Sequence, residues 1–290
     1  MTPATAEAEQ LARLVSDESG LPLEARSGRY AGGDPWFLLR PAGATADHAF
    51  GVRIAMGWRR ISIAFEPDRW AGELLTTMGN ADAAGRTAFQ AVLSECLRRG
   101  AEIEFRVNEE SSDPAEDDTW KQEWSRLSLS LTSPTDPEVH GADPGVGAAF
   151  EWSPLFIAAI VALLPLESHD EAEEGSQAGG FAEGASRIQR SVRYERDRRN
   201  RAAAIALFGC QCQACGLDFG DRYGEVARGF IEVHHTTPLS ALEADTIIDP
   251  ARDLVPLCPN CHAVAHRQDP PYSVEEIRTM LRRSRKESTP

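Results

Sequence analysis

Two short cysteine pairs restrict this chain more than anything else in it. They read CQAC, with Cys212 and Cys215, and CPNC, with Cys258 and Cys261. Each spacing lets two sulfurs grip one side of a tetrahedral ion, and the 42 residues between the pairs become a loop closed by metal. Such a site turns binding energy into folding energy, so a small unit can be stable around it. Four thiolates fill the coordination sphere of Zn2+, so the site is structural and does no chemistry itself. A redox dithiol and free core thiols are the competing readings. Cys210 offers a wider-spaced substitute for Cys212, which the two-residue spacing disfavours, and Cys96 falls on an apolar helix, as a core residue.

The rest of the composition divides the chain of 290 residues near 170–190. Residues 1–185 carry a balance of −17 and residues 186–290 a balance of +2, and all tryptophans, Trp36 to Trp152, fall in the first part. A net charge of −15 argues against indiscriminate coating of nucleic acid, because phosphate contacts come from Lys and Arg. The N-terminus lacks the basic-then-apolar order of a secretory signal. The longest apolar run, PLFIAAIVALLPL over 154–166, is too short to span a bilayer and reads as a buried helix. A cytoplasmic protein with no membrane partner is expected, and its thiols are then reduced.

Three divisions follow. Residues 1–166 read as a mixed α+β unit with antiparallel strands. Helices are expected over 5–18 and 84–100, and strands near 36–41, 50–55, 60–66, 102–107 and 124–131. No phosphate-binding or catalytic signature is found there. Residues 167–186 combine Glu, Asp, Gly and Ser and read as an acidic flexible linker. Residues 187–290 open on an Arg-rich lead-in helix. Arg187, Arg190, Arg193, Arg198, Arg199 and Arg201, with Arg267 further on, are the candidates for phosphate contact; a solvated helix with internal ion pairs is the competing reading.

The chemistry must come from histidines. EVHH sets His234 beside His235 on a strand, where neighbouring side chains face opposite ways. CHAVAH puts His262 and His266 one helical turn apart on one face, directly after the second knuckle. Bringing strand and helix together gives one strand histidine to a shared divalent ion and leaves the other to take a proton from water.

Together, EVHHTTPLS and DLVPLCPNCHAVAH resemble the HNH endonuclease family, with its ββα-metal fold, in the subgroup with two zinc knuckles, over about residues 190–270. The resemblance implies that His235 is the general base and that His234, His262 and His266 hold one catalytic divalent ion: Mg2+, Mn2+, Ni2+, Co2+ or Zn2+. Imidazole donors suit Mg2+ worst. The family's central Asn falls on Asp253, whose carboxylate can still accept from an imidazole N–H. Asn260, inside a knuckle, fits that role less well. The architecture also resembles modification-dependent restriction enzymes, which implies double-stranded DNA, plain or modified, as partner, with residues 1–166 as reader. A homodimer would suit cleavage of both strands. Two alternatives stay open: a low-specificity nuclease gated by a sensory front unit, and a non-catalytic zinc protein that binds DNA.

Overall fold

The computed structural model describes residues 3–44, 49–57, 59–141, 143–165, 198–237 and 246–287. The acidic segment 167–186 and Arg187, Arg190 and Arg193 lie outside them.

The front unit is built on one antiparallel sheet. Helix α1 (Pro3–Ser19) precedes β1 (Leu23–Arg29), β2 (Pro35–Pro41), β3 (Phe50–Met56) and β4 (Arg60–Pro67). Helices α2 (Gly72–Gly79) and α3 (Ala83–Arg98) lead into β5 (Glu102–Val107) and the short β6 (Glu110–Ser111). Helix α4 (Asp117–Lys121), β7 (Leu127–Pro134), α5 (Pro137–His140) and α6 (Pro144–Ala162) complete it. The strand order is β1-β2-β3-β4-β7-β5-β6, all antiparallel. The mixed α+β class read from the sequence is correct. The strand expected from 124 begins at Leu127, because Trp124 is turned into the core with its indole N–H donating to the Thr119 carbonyl at 2.9 Å.

Period-two alternation decides which face of the sheet is covered. Phe37 and Leu39, Val52 and Ile54, Ile61 and Ile63, Leu129 and Leu131, and Phe105 and Val107 are all buried. The strand registers put them on one face, beneath α1, α3 and α6. The opposite face carries ion pairs such as Arg53–Glu66 at 2.6 Å and Arg60–Glu102 at 2.7 Å. Helix α6 is apolar enough to cross a membrane by length and composition, yet it is mostly buried against the sheet and helices. The apolar run expected to be a buried helix supplies its second half. Trp120, Trp124 and Trp152 are core residues, the first two stacked with ring centroids 5.1 Å apart.

Helix α7 (Arg198–Phe208) comes next and packs on α1, α3 and α6. It is followed by the first knuckle, α8 (Phe219–Tyr223), β8 (Glu232–His235), α9 (Pro250–Asp253), β9 (Leu254–Leu257), α10 (Pro259–Ala265) and α11 (Val274–Glu287). Strands β8 and β9 pair antiparallel, with His234 opposite Val255 and His235 opposite Leu254. A second, smaller core gathers Ile205, Cys212, Ile231, Leu257, Cys258, Cys261, Ala265 and Ile277.

The two cores also meet along a polar seam. Glu18 of α1 faces Arg228 and lines a small cavity with Cys210, Asp218 and Asp221. Burial pushes the Glu18 carboxyl up from 4.5 to about 7; Arg228 opposes this and Asp17 adds to it. The folded chain therefore keeps a proton on Glu18 that the unfolded chain has already released. Its contribution to stability is present below pH 4.5 and is lost as pH rises through 7. Glu18→Gln is expected to remove this loss. Denaturant unfolding of variant and wild type between pH 4.5 and 7.5 should show the stability difference growing toward neutral pH, by on the order of 2 kcal/mol.

Candidate metal centre

The first knuckle is shaped by its own backbone. Gly216 N–H donates to the Cys212 carbonyl at 2.9 Å, Cys212 N–H donates to the Leu217 carbonyl at 2.9 Å, and Gly216 takes φ +76°. A left-handed residue after the second cysteine turns the chain back and aims both sulfurs the same way. Gln213 N–H then donates to the Pro256 carbonyl of β9 at 3.0 Å, and Arg278 of α11 donates to the Gln213 carbonyl at 2.8 Å. The second knuckle is the start of α10. Cys258 caps it by accepting from Cys261 N–H at 3.5 Å, with Pro259 in the first turn, where a missing N–H costs nothing.

The four sulfurs of Cys212, Cys215, Cys258 and Cys261 lie within 4.8 Å of one another, with Cys215 and Cys258 at 3.7 Å. Burial pushes the Cys212 thiol up, and amide hydrogen bonds from Cys258, Cys215 and Ala214 pull it back past its usual value to about 7. Burial and the neighbouring sulfurs push Cys215 and Cys261 upward instead. Four soft donors that resist ionising together fit one Zn2+, whose charge reverses that penalty. Cys210 stays outside the cluster, with its thiol pushed up to about 12 by burial and then by Glu18.

One turn along, α10 presents His262 and His266 to β8. The rings of His234, His262 and His266 have centroids 4.8 to 5.2 Å apart, and each offers a nitrogen within 4.8 Å of the others. Burial, then the neighbouring His262 and His266, push His234 down to about 4. Its ring is neutral, with a lone pair to give, across the physiological range. Three imidazoles on a strand and a helix leave coordination positions for water and phosphate, as a catalytic ion requires.

Sequence reasoning missed Glu232. Its carboxylate pairs with His262 Nδ1 and so helps to fix that ring beside the cluster. Glu232 and His234 are two apart on a strand and so share a face, which is the signal that would have found it. His235 follows on β8, half-buried and close enough that its charge also depresses His234, yet its ring is not one of the three. Asp253 lies across the end of the hairpin. Its carboxylate accepts from Asp249 N–H at 2.8 Å, and its carbonyl accepts from Thr236 N–H at 2.9 Å, beside His235.

The arginines are dispersed. Arg198 and Arg201 lie on α7, half-buried and exposed respectively, and Arg267 is exposed just beyond α10. Arg199, also a candidate for phosphate contact, has a side chain 13% exposed that donates to Asp82 at the cap of α3.

Residues 212–268 match the family model for HNH endonuclease. This segment is an HNH endonuclease domain. It spans about a fifth of the chain and contains both knuckles, the three clustered histidines and His235. No curated protein and no solved structure matches the chain. The HNH match supports a nuclease of that family acting on nucleic acid, with a zinc site at the cysteines.

Glu232→Gln is expected to weaken divalent-ion binding at the three histidines by about 10- to 100-fold, because the ring loses its orienting carboxylate. Calorimetric titration with Mn2+ or Ni2+ reads this, and zinc content measured in parallel should stay at one per chain.

Proposed function

We propose that the chain is a metal-dependent DNA endonuclease that hydrolyses phosphodiester bonds, with residues 1–166 determining which DNA is cut. The convergence of His234, His262 and His266 beside the zinc cluster, with His235 next on the strand, carries this reading. A divalent ion held by the three rings would supply Lewis acidity toward a phosphate oxygen. His235 accepts a proton from water as the water oxygen attacks phosphorus. The P–O bond to the leaving sugar oxygen then breaks, and that oxygen takes a proton from solvent. Asp253, on the position of the family Asn, orients the base from across the hairpin. Its bond to the Asp249 amide gives the carboxylate a fixed place from which to do so.

Phosphate contacts carry no base information, so a nuclease of this kind requires restraint. We infer restriction of modified or foreign DNA as that restraint, with Arg198, Arg201 and Arg267 on the DNA side and two copies acting where both strands are cut. Among the described tryptophans, Trp70 is the exposed one, at 68%, with the Arg69 guanidinium 5.1 Å from its ring centre; base and guanidinium would share that aromatic. The packing of α7 against the front unit favours a second reading, in which that unit licenses a less selective nuclease when it binds an effector.

Plasmid incubated with Mn2+ or Ni2+ should be nicked, and chelator should stop it. His235→Ala should lower the rate by about 10^2 to 10^4-fold with zinc content and unfolding temperature unchanged; nicking that survives this change removes His235 as the base. The same silent full-length variant, titrated with plain and modified duplexes, separates the two readings: a preference for modified DNA supports the reader, and equal binding at every salt concentration removes it.

A further inference from the structure

Helix α7 belongs to both cores at once. Ala203 and Leu207, four apart, are buried in the core of the front unit together with Ala202, while Ile205, about 200° round the helix from Ala203, is buried in the core of the HNH domain. Both ends of the helix are tied to α3. At its start Arg199 donates twice to Asp82, at 3.1 and 2.8 Å. Asp82 is itself the cap of α3, accepting from Gly85 N–H at 2.7 Å. At its end Arg99 donates to the Leu207 carbonyl at 3.1 Å. The first joint is tight. A Cβ on Gly85 would stand 2.4 Å from the Ala162 carbonyl of α6 and 3.0 Å from Arg199 Nη1, so a glycine is what lets α3, α6 and α7 converge. On its other side α7 packs against α9 and β9, and α3 reaches α9 directly. Asp253 ends α9, and its carbonyl holds Thr236, the residue after His235.

We propose that Asp82 and Arg199 are a positioning pair: by seating α7 on α3 they fix α9 and β9, and through them the strand that carries His235, so the catalytic hairpin is placed by the front unit. The front unit is then a structural part of the nuclease and not a reader on a tether. The docking half of this proposal stands on packing alone; the consequence for turnover rests on the nuclease reading above.

The test uses full-length, zinc-loaded protein as wild type, Arg199→Glu, Asp82→Arg and the charge-swapped double variant. Scanning calorimetry should show one transition for wild type, two for each single variant, and one again for the double. Plasmid nicking should fall about tenfold or more in turnover for each single variant, with KM for DNA and zinc content unchanged, and should recover in the double. Two transitions in wild type, single variants that keep one transition and full turnover, or a double variant no better than Asp82→Arg alone, with which it shares the lost cap of α3, would each overturn the proposal. A raised KM with a shallower salt dependence in Arg199→Glu, unmatched by Asp82→Arg, would assign Arg199 to phosphate and also overturn it. Calorimetry needs no cleavage, so an inactive wild type would count against the nuclease reading while the transitions still decide the docking.

Discussion

Four sulfurs held within 4.8 Å of one another are the constraint on which the HNH half of this molecule depends. They come from a turn before the hairpin and from the first turn of the helix after it, so one cation joins the two ends of the HNH domain. The second core is small and includes Cys212, Cys258 and Cys261 among its buried members. Little apolar area remains to hold β8 against α10 without the metal, so the fold of this domain and the occupancy of its zinc site are one equilibrium.

That constraint also sets the position of the chemistry. Because Cys261 is fixed, His262 and His266 emerge at the next positions of one helical face, and the hairpin brings His234 to meet them. Burial that keeps His234 neutral favours metal ligation over protonation. The carboxylate of Glu232 serves the same end from outside the cluster. The histidine doublet is thus divided by strand geometry: His234 points to the three-ring group and His235 stands beside it.

What was legible in the sequence was local. Knuckle spacing, the His-x-x-x-His step and the alternation of RISIAFE all express one element's own period, and each reappears in the structure. Glu232 is legible in principle by the same period-two rule, since it shares a strand face with His234. Long-range partners are not. The run RNRAAAIALF reads as part of an Arg-rich lead-in helix with phosphate contact or solvent as the use of its arginines; its small alanines let it sit between two cores, and the Arg199 partner lies 117 positions away at the cap of α3. Nothing in the neighbourhood of either residue announces the other. The tryptophans show the converse: their enrichment in the front unit reflects packing around Phe89 and Phe105 more than an open surface.

The central claim is that one divalent ion sits among His234, His262 and His266, separate from the zinc at the cysteines. X-ray absorption at the nickel edge, on protein carrying one zinc and one added equivalent of Ni2+, tests it directly. The account predicts a nickel shell of three imidazole nitrogens completed by oxygen, with no sulfur. Thiolate in that shell, or fewer than two imidazoles, would contradict it.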